Sequence, residues 1–390
     1  MLKRDNIAAM ERRVPVIPLA VVSFLSQLAI VKFGFTIVYY LRSLGFDSVE
    51  IGVATSIYPV VYFLGCMILP GVLKRINIKA RVITALVGMA VSITVFSLMR
   101  TKALIYLTLF LYGFFQSLLW TNVETWITQK GEWKLSSVLT LFNFSWSSSV
   151  GLANLLGGYL VGISYTLSFA VESAVFITAA VITALLGYRD EEKITEETDS
   201  SVEEPLSPYR FVSWVGIFII YTGYSMVIVV FPQYALDFLG LSSSESGTLL
   251  FMRGVSVCVA FLILGRMNFW KKGRLPIALM LSAFSVITFL FTLITDTAGY
   301  AAVFILYGLV FALGYELSIY HSAEGGGDRH KRMVVHEVLI TLGQVFGSFV
   351  GSALYEYFSF RTLVLFVTAV GALGVIFSLI PLSPSCPKKR

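Results

Sequence analysis

The sequence predicts an all-α membrane protein of twelve transmembrane helices, arranged as two parallel six-helix repeats with both termini in the cytoplasm. Three observations carry this prediction. Hydrophobic residues make up 57% of the 390-residue chain and charged residues only 13%, with a mean hydropathy of +0.81, well outside the range of soluble domains. Apolar segments succeed one another along the whole chain, and the basic residues beside them fall mostly on alternate connections. The stretch LRSLGFDSVEIG at 41–52 returns as LDFLGLSSSESG at 236–247, an offset of 195 residues.

Bilayer hydrocarbon is about 30 Å thick, so a spanning helix needs roughly 20 apolar residues. Continuous apolar runs, rather than ten-residue alternation, point to helices and not to barrel strands. Charges, prolines and glycine-rich breaks delimit spans near 16–40, 51–73, 82–99, 103–127, 137–161 and 166–187, then 211–231, 247–265, 275–295, 300–321, 334–355 and 362–382. The basic start of the chain has the look of a signal peptide. Its apolar run continues to Tyr40 without a small-x-small cleavage site, however, and is read as the first span. The domains are therefore an N-terminal bundle at 1–188, a polar linker at 189–210 with many more acidic than basic residues, and a C-terminal bundle at 211–390.

Of the 29 lysines and arginines, 23 fall on the tails and connections of one side, four (Arg42, Arg100, Lys102, Arg361) on the other, and Lys32 and Arg253 lie within spans. Basic residues near span ends are retained in the cytoplasm, which sets the orientation and favours an even span count. The same distribution explains the net charge of +6: there is no basic domain to hold a duplex, and nucleic acid is not an expected partner. Cys66 and Cys258 fall in spans and Cys386 in the tail, so no disulfide framework is expected.

The repeat extends beyond the opening stretch. LYG at 111–113 returns at 306–308, with Trp120 and Tyr315 in register behind it, and ALVGMAVSITVF from Ala85 matches ALMLSAFSVITF from Ala278 at an offset of 193. A nearly constant offset across separated spans indicates duplication. Six spans per copy make the copies parallel, with a site expected near mid-depth between them and access alternating as one rocks against the other.

In YYLRSLGFDSVEIG leading into span two, LPGVLKRINIKAR between spans two and three, FNFSWSSSVGLANLLGG in span five and the long polar linker, the chain resembles the major facilitator superfamily of secondary transporters over essentially its whole length. The resemblance implies that spans one, four, seven and ten line the substrate path. It also makes the connections with Gly71, Arg75, Lys79 and Arg81, and with Lys271, Lys272 and Arg274, candidate gating loops. Some family markers are replaced. Arg75 and Ile78 stand where the loop motif has aspartate and glycine, span four has no arginine between Ala103 and Ile127, and Ala153 and Asn154 replace the Gly-Pro pair of the antiport pattern.

A charge deep in hydrocarbon costs roughly 2.5 to 3.5 kcal/mol on insertion scales, so intramembrane charges face protein or water. Lys32, Glu124, Glu172, Arg253 and Glu316 meet that description. Gln116, Trp120 and Glu124 at i, i+4 and i+8 stack on one helix face. The expected substrate-binding residues are Gln27, Lys32, Gln116, Trp120, Asn143, Trp146, Tyr221, Tyr224, Arg253 and Tyr315, an amide, aromatic and charged lining suited to a polar or amphipathic solute. Glu124 and Glu316 are the expected proton-coupling residues. Alternative roles remain open: Lys32 and Arg253 as partners of structural ion pairs, and Glu124 and Glu316 as neutralisers of nearby basic loops. Glu172, close to the outer edge of span six, is read as structural.

His321, His330 and His336, with Glu324, Asp328 and Glu337, match no compact metal-ligand spacing and are read as a solvated loop. Gly343, Gly347 and Gly351 form a small-residue ladder for close helix packing. No phosphate-binding loop, histidine pair or aspartate dyad is present in the spans, so no cofactor and no enzymatic activity are expected. The sequence thus points to a multi-pass plasma-membrane transporter, acting as a monomer on a small organic solute by alternating access. Protons are the expected coupling ion, and the aromatic content favours export. A passive facilitator of an organic anion and a non-transporting sensor on the same fold are the alternatives.

Overall fold

The computed structural model describes residues 15–72, 76–128, 135–187, 206–325 and 329–380. Its regular elements are all helices: α1 (Val16–Ser43), α2 (Ser48–Val72), α3 (Ile78–Leu98), α4 (Lys102–Ser117), α5 (Trp120–Ile127), α6 (Leu135–Ile163), α7 (Tyr165–Leu185), α8 (Arg210–Asp237), α9 (Ser243–Leu264), α10 (Leu275–Leu290), α11 (Thr297–Ala323), α12 (Arg329–Tyr357) and α13 (Phe360–Leu379). All twelve expected spans are present, the fourth divided into α4 and α5. Among the described residues ten helical segments are long and apolar enough to cross a membrane, and α10 is a shorter apolar helix. The 28 residues of α1 reach about 42 Å at 1.5 Å each, more than the hydrocarbon thickness.

Several helices begin a few residues before the apolar run that announced them, because polar caps start them outside the hydrocarbon. Asn77 accepts from the Ala80 amide at 2.7 Å and Asp296 from the Gly299 amide at 2.8 Å. The duplicated stretch is itself a pair of caps. Asp47 and Glu50 exchange side-chain-to-amide hydrogen bonds at 3.2 and 2.8 Å, and Ser242 and Glu245, 195 residues on, do the same at 2.8 and 3.3 Å. Each is a capping box at the start of an apolar helix. The glycine ahead of each box has positive φ, +82° at Gly45 and +64° at Gly240. The same register holds at the sixth span of each copy, where Ser164 and Ser359 cap α7 and α13.

A Cβ at Gly45 or Gly240 would meet nothing within 4 Å, so only the backbone conformation demands glycine. Alanine at either site is expected to lower stability by about 1 kcal/mol, and asparagine by less, because its side chain tolerates the left-handed region. Thermal midpoints of the four variants test this ordering.

The chain divides into two compact units, the described residues of Met1–Thr198 with Phe231–Gly254, and those of Asp199–Val230 with Val255–Arg390. In the first unit α1 packs against α6 and α7, α3 against α7 and α4, and α2 against α4. In the second, α10 packs against α13 and α11, and α12 against α11 and α13. Glycines permit the tightest crossings. A Cβ on Gly254 of α9 would lie 2.4 Å from the Gly151 Cα of α6, and one on Gly347 of α12 would lie 2.2 Å from the Thr222 carbonyl oxygen of α8. Gly343 and Gly351 approach α8 in the same way, so the ladder is a helix-packing surface.

Candidate functional site

The first unit encloses a charged pair. Lys32 of α1 and Glu172 of α7 are 1% and 0% exposed and meet at 2.9 Å between Nζ and Oε1. Lys32 also donates to the Ser168 carbonyl at 2.9 Å and to Ser168 Oγ at 2.6 Å, while Thr36 Oγ1 donates to Glu172 Oε1 at 2.9 Å. Of the two roles left open for Lys32, the geometry supplies an ion pair, and its partner is the carboxylate that the sequence offered only as a structural residue. Both lie on helices long enough to span, so only tertiary packing reveals the match. The flanking shell is aromatic: Phe33 sits 4.7 Å from Tyr112 and 6.2 Å from Phe169, ring centre to ring centre.

The stripe expected in span four is interrupted. Leu118 and Leu119 donate to Phe115 and Gln116 in three-residue turns, so Gln116 lies in the last turn of one helix while Trp120 and Glu124 lie on the next. Gln116 is buried, Trp120 half-buried with its ring 6.2 Å from Phe142, and Glu124 exposed. A continuous i, i+4, i+8 stack is therefore absent, although each residue keeps its place along the span. Gln27 is half-buried on α1. On α6, Trp146 Nε1 donates to Asn143 Oδ1 at 3.1 Å, joining two of the candidates directly. Arg253 is 2% exposed on α9, beside Gly254.

In the second unit Tyr221 and Tyr224 of α8 stand 5.8 Å apart and share Phe311 of α11, at 5.1 and 4.9 Å. Tyr315 packs between Phe261 at 5.8 Å and His336 at 5.4 Å, next to the half-buried Glu316. The solvated-loop reading of the histidines needs correction. His321 and His336 are both fully buried, because they stand on α11 and α12 themselves and not in the connection between them. Serines satisfy their Nδ1 atoms, Ser207 with His321 at 2.7 Å and Ser318 with His336 at 2.8 Å. Asp328 and the side chain of His330 lie outside the described residues.

Among the candidate gating residues, Lys79 caps the end of α7, donating to the Ala184 and Leu186 carbonyls at 2.7 and 2.6 Å. Arg274 makes the corresponding contact in the second unit, with the Ile380 carbonyl after α13. Both neutralise the negative end of a helix. Arg81 donates to Ile76 O at 2.7 Å and Asn122 Oδ1 at 2.9 Å, and Lys271 to Asn268 Oδ1 at 2.7 Å. Lys272 is exposed and Gly71 sits in the last turn of α2. Arg75, residue 188 and residues 189–205 of the linker lie outside the described residues. At the far ends of α1 and α8, Arg42 and Asp237 pair at 2.7 Å. These two positions are equivalent in the duplication, 195 residues apart.

A sequence profile described as Major Facilitator Superfamily matches residues 19–324. The chain belongs to the Major Facilitator Superfamily. A search of curated protein sequences finds no match. The superfamily fold is borne out by solved structures. A bacterial homologue of the human lysosomal transporter Spinster, inward-facing and occupied, aligns with a TM-score of 0.75 at 10% identity, covering 93% of this chain and 95% of that one. The nucleoside transporter NupG aligns with a TM-score of 0.70 at 14% identity over 93% and 98% of the two chains. A peptide transporter in complex with sulfate gives 0.72 at 12% identity over 93% and 94%. At these identities the likeness speaks for the fold, so this superfamily member is a transporter-fold membrane protein whose solute must be argued from its own residues.

Proposed function

We propose that this chain is a secondary transporter that moves a small organic solute across the plasma membrane by alternating access, coupled to protons and acting as a monomer with both termini in the cytoplasm. The observation that carries the reading is the duplication. Gly45 and Gly240, the two capping boxes and the cap serines Ser164 and Ser359 all repeat at one offset, as expected of two parallel six-helix halves that can rock against each other. The proposed lining is Gln27, Gln116, Trp120, Asn143, Trp146, Tyr221, Tyr224, Arg253 and Tyr315, with Glu316 and Glu124 as carboxylates at its edge. Because the Lys32 ammonium is occupied by Glu172 and Ser168, the aromatic and amide groups weigh more, favouring an uncharged or cationic amphipathic solute over an anion. Export remains the favoured direction.

The test begins with mass spectrometry of small molecules that co-purify with the protein. The identified molecule is then followed across proteoliposome membranes with and without a pH gradient. Trp146→Ala and Tyr221→Ala are each expected to weaken its binding by about tenfold, the loss of one aromatic contact of roughly 1 to 1.5 kcal/mol. Binding without movement would turn the reading into that of a sensor. Movement indifferent to the gradient would make the chain a passive facilitator.

A further inference from the structure

Building on the transport reading, we infer that the Lys32–Glu172 pair is a proton-exchange site. The duplication itself supplies the control. At the offset of 195 the counterparts of Lys32 and Glu172 are Val227 and Val367, both buried, and Val367 lies against α8 at Gly223. The second copy thus closes the same helix pair with apolar side chains. The fold has no need of charges there, and a buried ion pair is commonly no more stabilising than a hydrophobic replacement.

The pair is also incompletely satisfied. Among the described residues Glu172 Oε2 is fully buried and has no hydrogen-bond partner, and neither has the buried hydroxyl of Tyr112. Buried polar atoms are seldom left this way without a reason. Thr36 Oγ1 has one proton for three neighbouring acceptors, the Lys32 carbonyl at 2.9 Å, Glu172 Oε1 at 2.9 Å and Ser168 Oγ at 3.0 Å. Such a network can redistribute its hydrogen bonds without moving a helix. A proton arriving from water binds Glu172 Oε2, leaving Oε1 to hold Lys32 and Thr36. Its departure restores the carboxylate.

The neighbouring helices of the first unit carry other titratable groups. α1 brings Tyr39 and Tyr40, α2 Tyr58, α4 Tyr112 and α7 Tyr165. The charges of α3, Lys79 and Arg81, are engaged at its first turn, and Arg100 beyond it donates to the Tyr40 hydroxyl. Glu124 of α5 is exposed, and α6 carries no charged residue.

The test uses the purified full-length chain in lipid nanodiscs and no solute. Infrared difference spectra between about pH 9 and about pH 5 are expected to contain buried carboxylic-acid absorption that loses the contribution of one group in Glu172→Gln. Lys32→Val/Glu172→Val, which copies the second repeat, is expected to fold and to take up about one proton fewer per chain over that range. A carboxylic-acid band left undiminished in Glu172→Gln, or proton uptake unchanged in the folded double variant, would overturn the proposal. Failure of the double variant to fold would overturn it too, by making the pair structural. Because no solute enters the measurement, a silent titration removes the proton site and leaves the transport reading intact. Conversely, a titrating Glu172 in a chain that moves no solute leaves the site and removes the transport reading.

Discussion

Lys32→Met is expected to destabilise the protein by about 3–5 kcal/mol, because it leaves the Glu172 carboxylate buried without its counter-charge. Glu172→Val, which strands the ammonium, is expected to cost a similar amount. The two losses will not add. Lys32→Val/Glu172→Val removes both charges together and installs the residue pair that Val227 and Val367 already use, so it is expected to recover most of the stability. Thermal unfolding of the three variants in one detergent gives the cycle. A double variant as unstable as the worse single variant would mean that the charges add net stability, contrary to the comparison with the second repeat.

The second large effect is expected at Gly347. A Cβ there would sit 2.2 Å from the Thr222 carbonyl oxygen and 2.9 Å from Ser225 Cβ, and a backbone oxygen cannot rotate away as a side chain would. Gly347→Ala is expected to cost about 1–3 kcal/mol by forcing α12 away from α8, and Gly347→Leu to abolish the folded, monodisperse species. Gly187→Ala is the matched control, since nothing lies within 4 Å of its would-be Cβ. Size-exclusion profiles and melting temperatures across the three variants decide the matter. A monodisperse Gly347→Leu would show that the two helices can separate at little cost.

Much of the fold was legible because the membrane imposes a local rule. Each apolar run near Val16–Ser43 or Phe360–Leu379 satisfies the length condition on its own residues, without reference to any other part of the chain. The duplication was legible for a related reason. Glycine and serine at 45, 240, 164 and 359 perform local backbone tasks, so their spacing survives where apolar neighbours have drifted. The interruption at Leu118 and Leu119 left no such mark, because two leucines read as uninterrupted helix. The buried histidines were misread because their polarity, beside Glu324 and Asp328, reads as a solvated connection, whereas each sits on a helix and finds an internal partner, His321 with Ser207 and His336 with Ser318.

The sequence alone determined that this is a helical membrane protein of twelve spans in two copies, resembling the superfamily to which it belongs, because solvation in lipid is a cost charged residue by residue. It also named Lys32 and Glu172 as out of place. Only the tertiary structure decided that these two meet, since they lie 140 residues apart and contact depends on how α1 and α7 are rotated about their axes. That rotation follows from packing summed along whole helices and has no signature at either residue.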